Sequence, residues 1–161
     1  MNAIAASDDP TSRAPLYYED LAVGQIYRTA SITLDAEAIK AFAASFDPQP
    51  FHLDDAAAAE TFFQGLAASG WHTAAITMRL LVTSGAPIAG GIIGAGVEEL
   101  RWPNPVRPGD RLRLQSEVME MRPMKSRPQF GLVKMRTTTL NQNDEPVQIF
   151  TANLIVPMRG S

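Results

Sequence analysis

"HTAAITMRLLVTS", residues 72–84, carries one charged side chain, Arg79. Wound as a helix, its Ala75, Ile76, Met78, Leu80, Leu81 and Val82 cover nearly every side. A helix that is apolar all round must be buried on most of its surface. At this length it falls short of the ~20 residues that span a bilayer, so protein must cover it.

The cover lies downstream. "GGIIGAGVEELRW" (90–102) is Gly-rich and extended. "VRPGD" (106–110) places Pro108 and Gly109 at the centre of a type II turn. "RLRLQSEVMEM" (111–121) alternates, with Leu112, Leu114 and Val118 on one face and Arg111, Arg113, Gln115 and Glu117 on the other, the pattern of a half-buried antiparallel strand. "GLVKMRTTTL" (131–140), the turn "NQNDEP" and "VQIFTANLIVPM" (147–158) form a hairpin. The last segment is apolar on both parities, as a central or interface strand would be.

Upstream, "QIYRTASITL" (25–34) reads as a strand, with Ala30, Ile32 and Leu34 on one face. Asp35 is placed as an N-cap, and Ile39, Phe42, Ala43 and Phe46 form one stripe of a helix over 36–46. Asp54 or Asp55 caps a short helix in "DAAAAETFF", which Gly65 ends. Residues 1–15 read as a flexible lead-in and 16–158 as one domain. Helices followed by a run of antiparallel strands give an α+β class, most simply one buried helix wrapped by a curved sheet.

Bulk properties narrow the function. The chain has 161 residues, 45% hydrophobic and 19% charged, with a formal net charge of -3 and no cysteine. One domain with a real core fits this length. A nucleic-acid binder carries a basic excess, which is absent. Disulfides, thiolate clusters and a Cys nucleophile are excluded, in keeping with a reducing cytoplasm. No run is apolar enough for a membrane span, and residues 1–15 lack the pattern of a signal peptide.

"DPQPFH" (47–52) sets a carboxylate and an imidazole on either side of two prolines. Pro48 ends the preceding helix, so the stretch reads as a stiff loop. Histidine exchanges protons near neutral pH, and a nearby carboxylate can orient it or share the work. The same residues also suit a capping Asp and a partly buried His, the commoner use of such a pair. His72, the other histidine, opens the apolar helix. "ASGWHT" (68–73) puts Gly70 at the start of that helix, where free N–H groups favour negative charge. Gly70 is equally a helix start, Trp71 equally plain packing, and Ser69 a capping residue. His52, Asp54 and Asp55 match no metal-ligand signature, and no nucleophile elbow, dinucleotide fingerprint or P-loop is present. "RPMKSRP" (122–128) reads as a solvated basic loop that could meet a ligand's phosphates.

Together, "FDPQPFHLD" (46–54), "ASGWHTAA" (68–75) and "PVRPGDRL" (105–112) resemble the MaoC-like dehydratases, which include the (R)-specific enoyl-CoA hydratases. The resemblance spans about residues 17–156. It implies a hot dog fold, a curved antiparallel sheet around a long central helix. The family's Gly-Asp-x-Asn-Pro-x-His motif puts its Asp on Asp47, its Pro on Pro50 and its His on His52, while Phe46 replaces Gly and Gln49 replaces Asn. Its helix-start glycine falls on Gly70, beside Trp71. The implied activity is hydration of 2-enoyl thioesters, or the reverse dehydration, with Asp47 and His52 catalytic. Gly70, Trp71 and Gln49 would then bind substrate and oxyanion. No metal or other cofactor is implied. The implied partners are an acyl-CoA or acyl-carrier thioester and a second copy of the chain in a homodimer or larger homo-oligomer, burying the doubly apolar last strand. A hot dog thioesterase and a non-catalytic acyl-thioester-binding subunit are the alternatives.

Overall fold

The computed structural model describes residues 13–160, so the lead-in expected at 1–15 lies outside the described residues up to residue 12. The elements run β1 (Ile26–Arg28), β2 (Ile32–Leu34), α1 (Ala36–Phe46), α2 (Pro50–Leu53), α3 (Asp55–Ala59), α4 (Gly70–Ser84), β3 (Ile93–Arg101), β4 (Asp110–Pro123), β5 (Phe130–Leu140) and β6 (Pro146–Pro157). One antiparallel sheet forms in the order β1-β4-β5-β6-β3, with β2 also paired to β4. The class is α+β, as the sequence implies.

The strand expected over 25–34 is two short strands. Between them the backbone leaves the ladder, and the Thr29 hydroxyl accepts the Leu114 N–H at 2.9 Å. The long strands obey their alternation. Leu112, Leu114 and Val118 on β4 are all fully buried, and each such leucine contributes about 2 kcal/mol through burial. The turn before β4 closes with an Asp110 N–H to Arg107 carbonyl bond of 3.0 Å, and Gly109 takes the positive φ of 88° that a type II turn requires.

β6 is central, hydrogen-bonded to β5 on one edge and β3 on the other. Its apolar residues on both parities are therefore explained within one chain, without a second copy across it. The sheet's two edges are β3 on one side and the short β1 and β2 on the other.

The sequence puts the apolar helix at 72–84, and it begins at Gly70. His72, Thr73, Thr77 and Leu80 face the interior. The expectation that protein buries most of its surface does not hold within one chain, because Met78 and Val82 are about half exposed. Its inner side packs on the sheet through polar as well as apolar groups. The Thr77 and Thr139 hydroxyls bond at 2.7 Å, Gln148 Nε2 donates to Thr77 Oγ1 at 3.2 Å, and Trp102 Nε1 donates to Gln148 Oε1 at 2.9 Å. Buried polar groups satisfied in this way fix the rotation of α4 on the sheet. Toward its C-terminal half, a cavity of about 220 Å³ opens between Met78 and Leu81 on the helix and Met135, Phe150 and Leu154 on the sheet.

Gly131, inside β5, sits against the Tyr18 ring, and a Cβ there would overlap it. Gly131→Ala should therefore destabilise the protein by about 1–3 kcal/mol, as overpacking does, read as a lower denaturant midpoint at unchanged m.

Candidate active site

Asp35 begins the local chain of causes. Its carboxylate accepts the Ala38 N–H at 2.8 Å and caps α1, which ends where Pro48 follows Asp47. Asp47 thus occupies the C-cap of α1. The stiff loop expected over 47–52 is shorter than that, because Pro50 opens the single helical turn α2, its fixed φ suiting a first helical position. His52 therefore projects from a helical turn, and its side chain is buried.

The structure brings Asp47 and His52 together. The Nε2 of His52 lies 3.3 Å from Asp47 Oδ2. The opposite nitrogen, Nδ1, meets the Ala67 carbonyl at 2.6 Å. A carbonyl only accepts, so Nδ1 carries a proton and donates it, which leaves Nε2 as the nitrogen that can exchange one.

Asp47 is held as a carboxylate. Burial acts to raise its pKa, but the Gln49 amide, the Ser69 hydroxyl and the charge of His52 outweigh it, and the net position is below the ordinary 3.8. Gln49 Nε2 donates to Asp47 Oδ1. Ser69 does two jobs. It is the N-cap of α4, its Oγ accepting the Trp71 N–H at 3.2 Å, and it stabilises the Asp47 charge. The sequence flagged only the first of these. The pairing with Asp47 crosses from the end of one helix to the start of another, and no spacing along the chain signals that.

Gly70 is the first residue of α4, where a backbone N–H has no partner within the helix. A Cβ at this position would come within 2.6 Å of the Trp102 indole, so packing as well as access requires glycine. Trp71 is 60% exposed and meets Trp102 edge-on at 5.2 Å. His72 is buried against Phe42, the rings stacked at 4.5 Å and 2°. Asp54 caps α3 through the Ala57 N–H, and Asp55 pairs with Lys40, so neither joins His52. Residues 122–128 span the end of β4 and the turn before β5, exposed except for half-buried Met124. None of Asp47, Gln49, His52, Gly70 and Trp71 lines the apolar cavity, which lies at the other end of α4.

Segment 63–69 supplies both the Ala67 carbonyl and Ser69, and it is clamped from two sides. The Ala67 N–H donates to the Phe51 carbonyl at 3.0 Å, and the Ala68 N–H to the Val106 carbonyl at 2.9 Å. Arg107 donates to the carbonyls of Phe63 (2.5 Å), Gly65 (3.0 Å) and Leu66 (3.3 Å). In the sequence this arginine stands out only within the turn "VRPGD" and the motif "PVRPGDRL".

Comparison with known proteins follows the same lines. The model of the MaoC-like domain matches residues 20–141. The Bacillus subtilis protein YdeM, itself uncharacterized, is 31% identical over 138 residues, which cover 86% of this chain and 95% of YdeM. The crystal structure of a MaoC-like dehydratase from Rhodospirillum rubrum superposes with a TM-score of 0.88 at 58% identity, over 91% of this chain and 99% of that one. The R-hydratase PhaJ1 from Pseudomonas aeruginosa superposes with a TM-score of 0.72 at 31% identity, over 90% and 88% of the two chains. The fold they share with this chain is the hot dog.

Two outcomes follow from this geometry. Arg107→Met removes a charged donor from three carbonyls and should cost about 2–3 kcal/mol, with faster amide exchange at Ala67 and Ala68. The second concerns pH. Because folding lowers the pKa of Asp47, its contribution is complete above the unfolded carboxylate value and is lost as pH falls through the folded one. Asp47→Asn should therefore flatten the acid limb of stability below about pH 4, measured by denaturant titration across pH.

Proposed function

The chain belongs to the MaoC-like domain family, and from that membership we propose that it adds water to 2-enoyl thioesters, or removes it from 3-hydroxyacyl thioesters, using Asp47 and His52. The observation that carries this reading is the 3.3 Å approach of His52 Nε2 to the Asp47 carboxylate beside the start of α4.

In a 2-enoyl thioester the carbonyl makes C3 electrophilic. A water held between the carboxylate and Nε2 loses one proton to the pair as its oxygen bonds to C3. The electron pair of the C2–C3 double bond moves toward the carbonyl, giving an enolate. The Gly70 N–H receives the developing charge on the thioester oxygen, a donor typically worth about 3 kcal/mol of barrier. The proton taken from water then returns to C2, so one water is added and both side chains regain their starting state. Gln49 steadies the carboxylate, and Trp71 at the exposed rim borders the entering thioester.

Every protein group in this scheme is supplied by one chain, so the cycle as written calls on no metal or redox cofactor. Binding energy from the CoA or carrier-protein arm serves to position the reacting carbons. The family's R-hydratases support a product of the (R)-3-hydroxyacyl type.

The second copy expected from the resemblance belongs at β3 rather than at β6. β3 is an edge strand with Ile93 50% and Val97 59% exposed, and an uncovered strand edge of this kind is a template for pairing. The outer side of α4, with Val82, would be covered in the same assembly. No described helix is long and apolar enough to cross a membrane.

The test is loss of enoyl-thioester absorbance with crotonyl-CoA. Asp47→Asn and His52→Ala, both folded, should each lower turnover by about 10²–10⁴-fold. Turnover equal in all three proteins would sink the assignment. Absence of thiol release during turnover decides against the thioesterase, and the chain's lack of cysteine leaves that assay without background. For the assembly, Val97→Asp should convert a dimer to a monomer in light scattering.

A further inference from the structure

His72 is one of the two histidines, and nothing in the hydration scheme uses it. It is 6% exposed, and its Nδ1 has no hydrogen-bond partner. A buried polar atom left unmet is costly, and sequences tolerate one where something outside the chain completes it. Burial lowers the pKa of His72, so the ring is neutral in neutral solution.

Its position ties it to the reacting centre. His72 lies in the first turn of α4, three residues after its N-cap Ser69. The Ser69 hydroxyl in turn bonds to Asp47. From Gly70 to His72 the helix climbs about 3 Å. The stacked Phe42 packs in turn on Phe46 at 5.1 Å, and Phe46 precedes Asp47. Phe46 is 75% exposed, so the Phe42 ring that covers the imidazole packs on a neighbour with room to give way.

We propose that His72 is a polar subsite for the acyl group, its Nδ1 hydrogen-bonding a hydroxyl carried within a few bonds of the reacting double bond. The location of that double bond rests on the hydratase reading above. A hydroxyl both donates and accepts, so it satisfies Nδ1 in either tautomer, whereas an ether or carbonyl oxygen satisfies only one. A carboxylate would bring an ion into an aromatic setting with a neutral ring as its only partner. A plain alkyl chain would leave the nitrogen unmet, and sites built to bond a hydroxyl reject analogues that lack it.

The experiment compares two thioesters of one shape, trans-4-hydroxybut-2-enoyl-CoA and trans-pent-2-enoyl-CoA, in which a hydroxyl replaces a methyl. Calorimetric titration of the Asp47→Asn protein, whose lowered turnover leaves most of the thioester intact during the titration, gives the ratio of dissociation constants. The hydroxylated thioester should bind about tenfold tighter or better. Adding His72→Leu should abolish the preference, and adding His72→Gln should retain part of it. His72→Leu should also melt no lower than its parent, because it removes an unmet polar atom. A ratio below tenfold, a ratio that His72→Leu leaves intact, or no binding of either thioester overturns the proposal. Hydration of crotonyl-CoA by the unaltered protein is measured separately. Its absence sinks the hydratase reading, while the binding ratio still judges His72.

Discussion

Segment 63–69 has to satisfy its backbone in two directions, and the candidate site depends on its doing so. It leads from the turn after α3 to the start of α4 with no ladder of its own. Phe51 takes one N–H, Val106 takes another, and Arg107 reaches three carbonyls. What remains is the Ala67 carbonyl, and that group fixes the tautomer of His52. Two residues later Ser69 caps α4 and meets Asp47. One short stretch therefore sets the proton on one member of the pair and the charge on the other. Its rigidity comes from the turn at 106–110, which the sequence suggests only as a connection before β4.

Much of the fold was legible in the sequence because it follows from periodicity. The alternation of Leu112, Leu114 and Val118 gave β4, and the stripe of Ile39 and Ala43 gave the buried face of α1. Asp35 as a cap and Pro108–Gly109 as a turn are local chemistry, read from adjacent residues. The break between β1 and β2 was not legible, because it depends on a threonine hydroxyl bonding to a strand some eighty-five residues away. For the same reason the doubly apolar β6 could be read as central or as interface, since pairing order is not written in a strand's own composition.

The candidate site divides in the same way. Asp47, Gln49 and His52 stand close in sequence, and an alternation with proline marks them. Arg107 and the second role of Ser69 are tertiary, and the first is concealed in a motif whose obvious purpose is a turn. Gly70 shows why a motif residue needs a physical account. Glycine there is required by the Trp102 indole as much as by any oxyanion, so replacing it would disturb packing and chemistry together. Asp47 and His52 are cleaner probes of the proposed hydration.

The two histidines make the sharpest contrast in the molecule. Both are buried, and they are twenty residues apart. His52 has each nitrogen committed, Nδ1 to a backbone carbonyl and Nε2 toward a carboxylate. His72 has an aromatic face against it and a nitrogen with no partner. Packing alone would be served better by leucine at 72, which fills similar space and leaves no polar atom to satisfy. An imidazole kept there at that cost fits the acyl subsite proposed for it, just as the half-covered α4 and the open edge of β3 fit the proposed second copy.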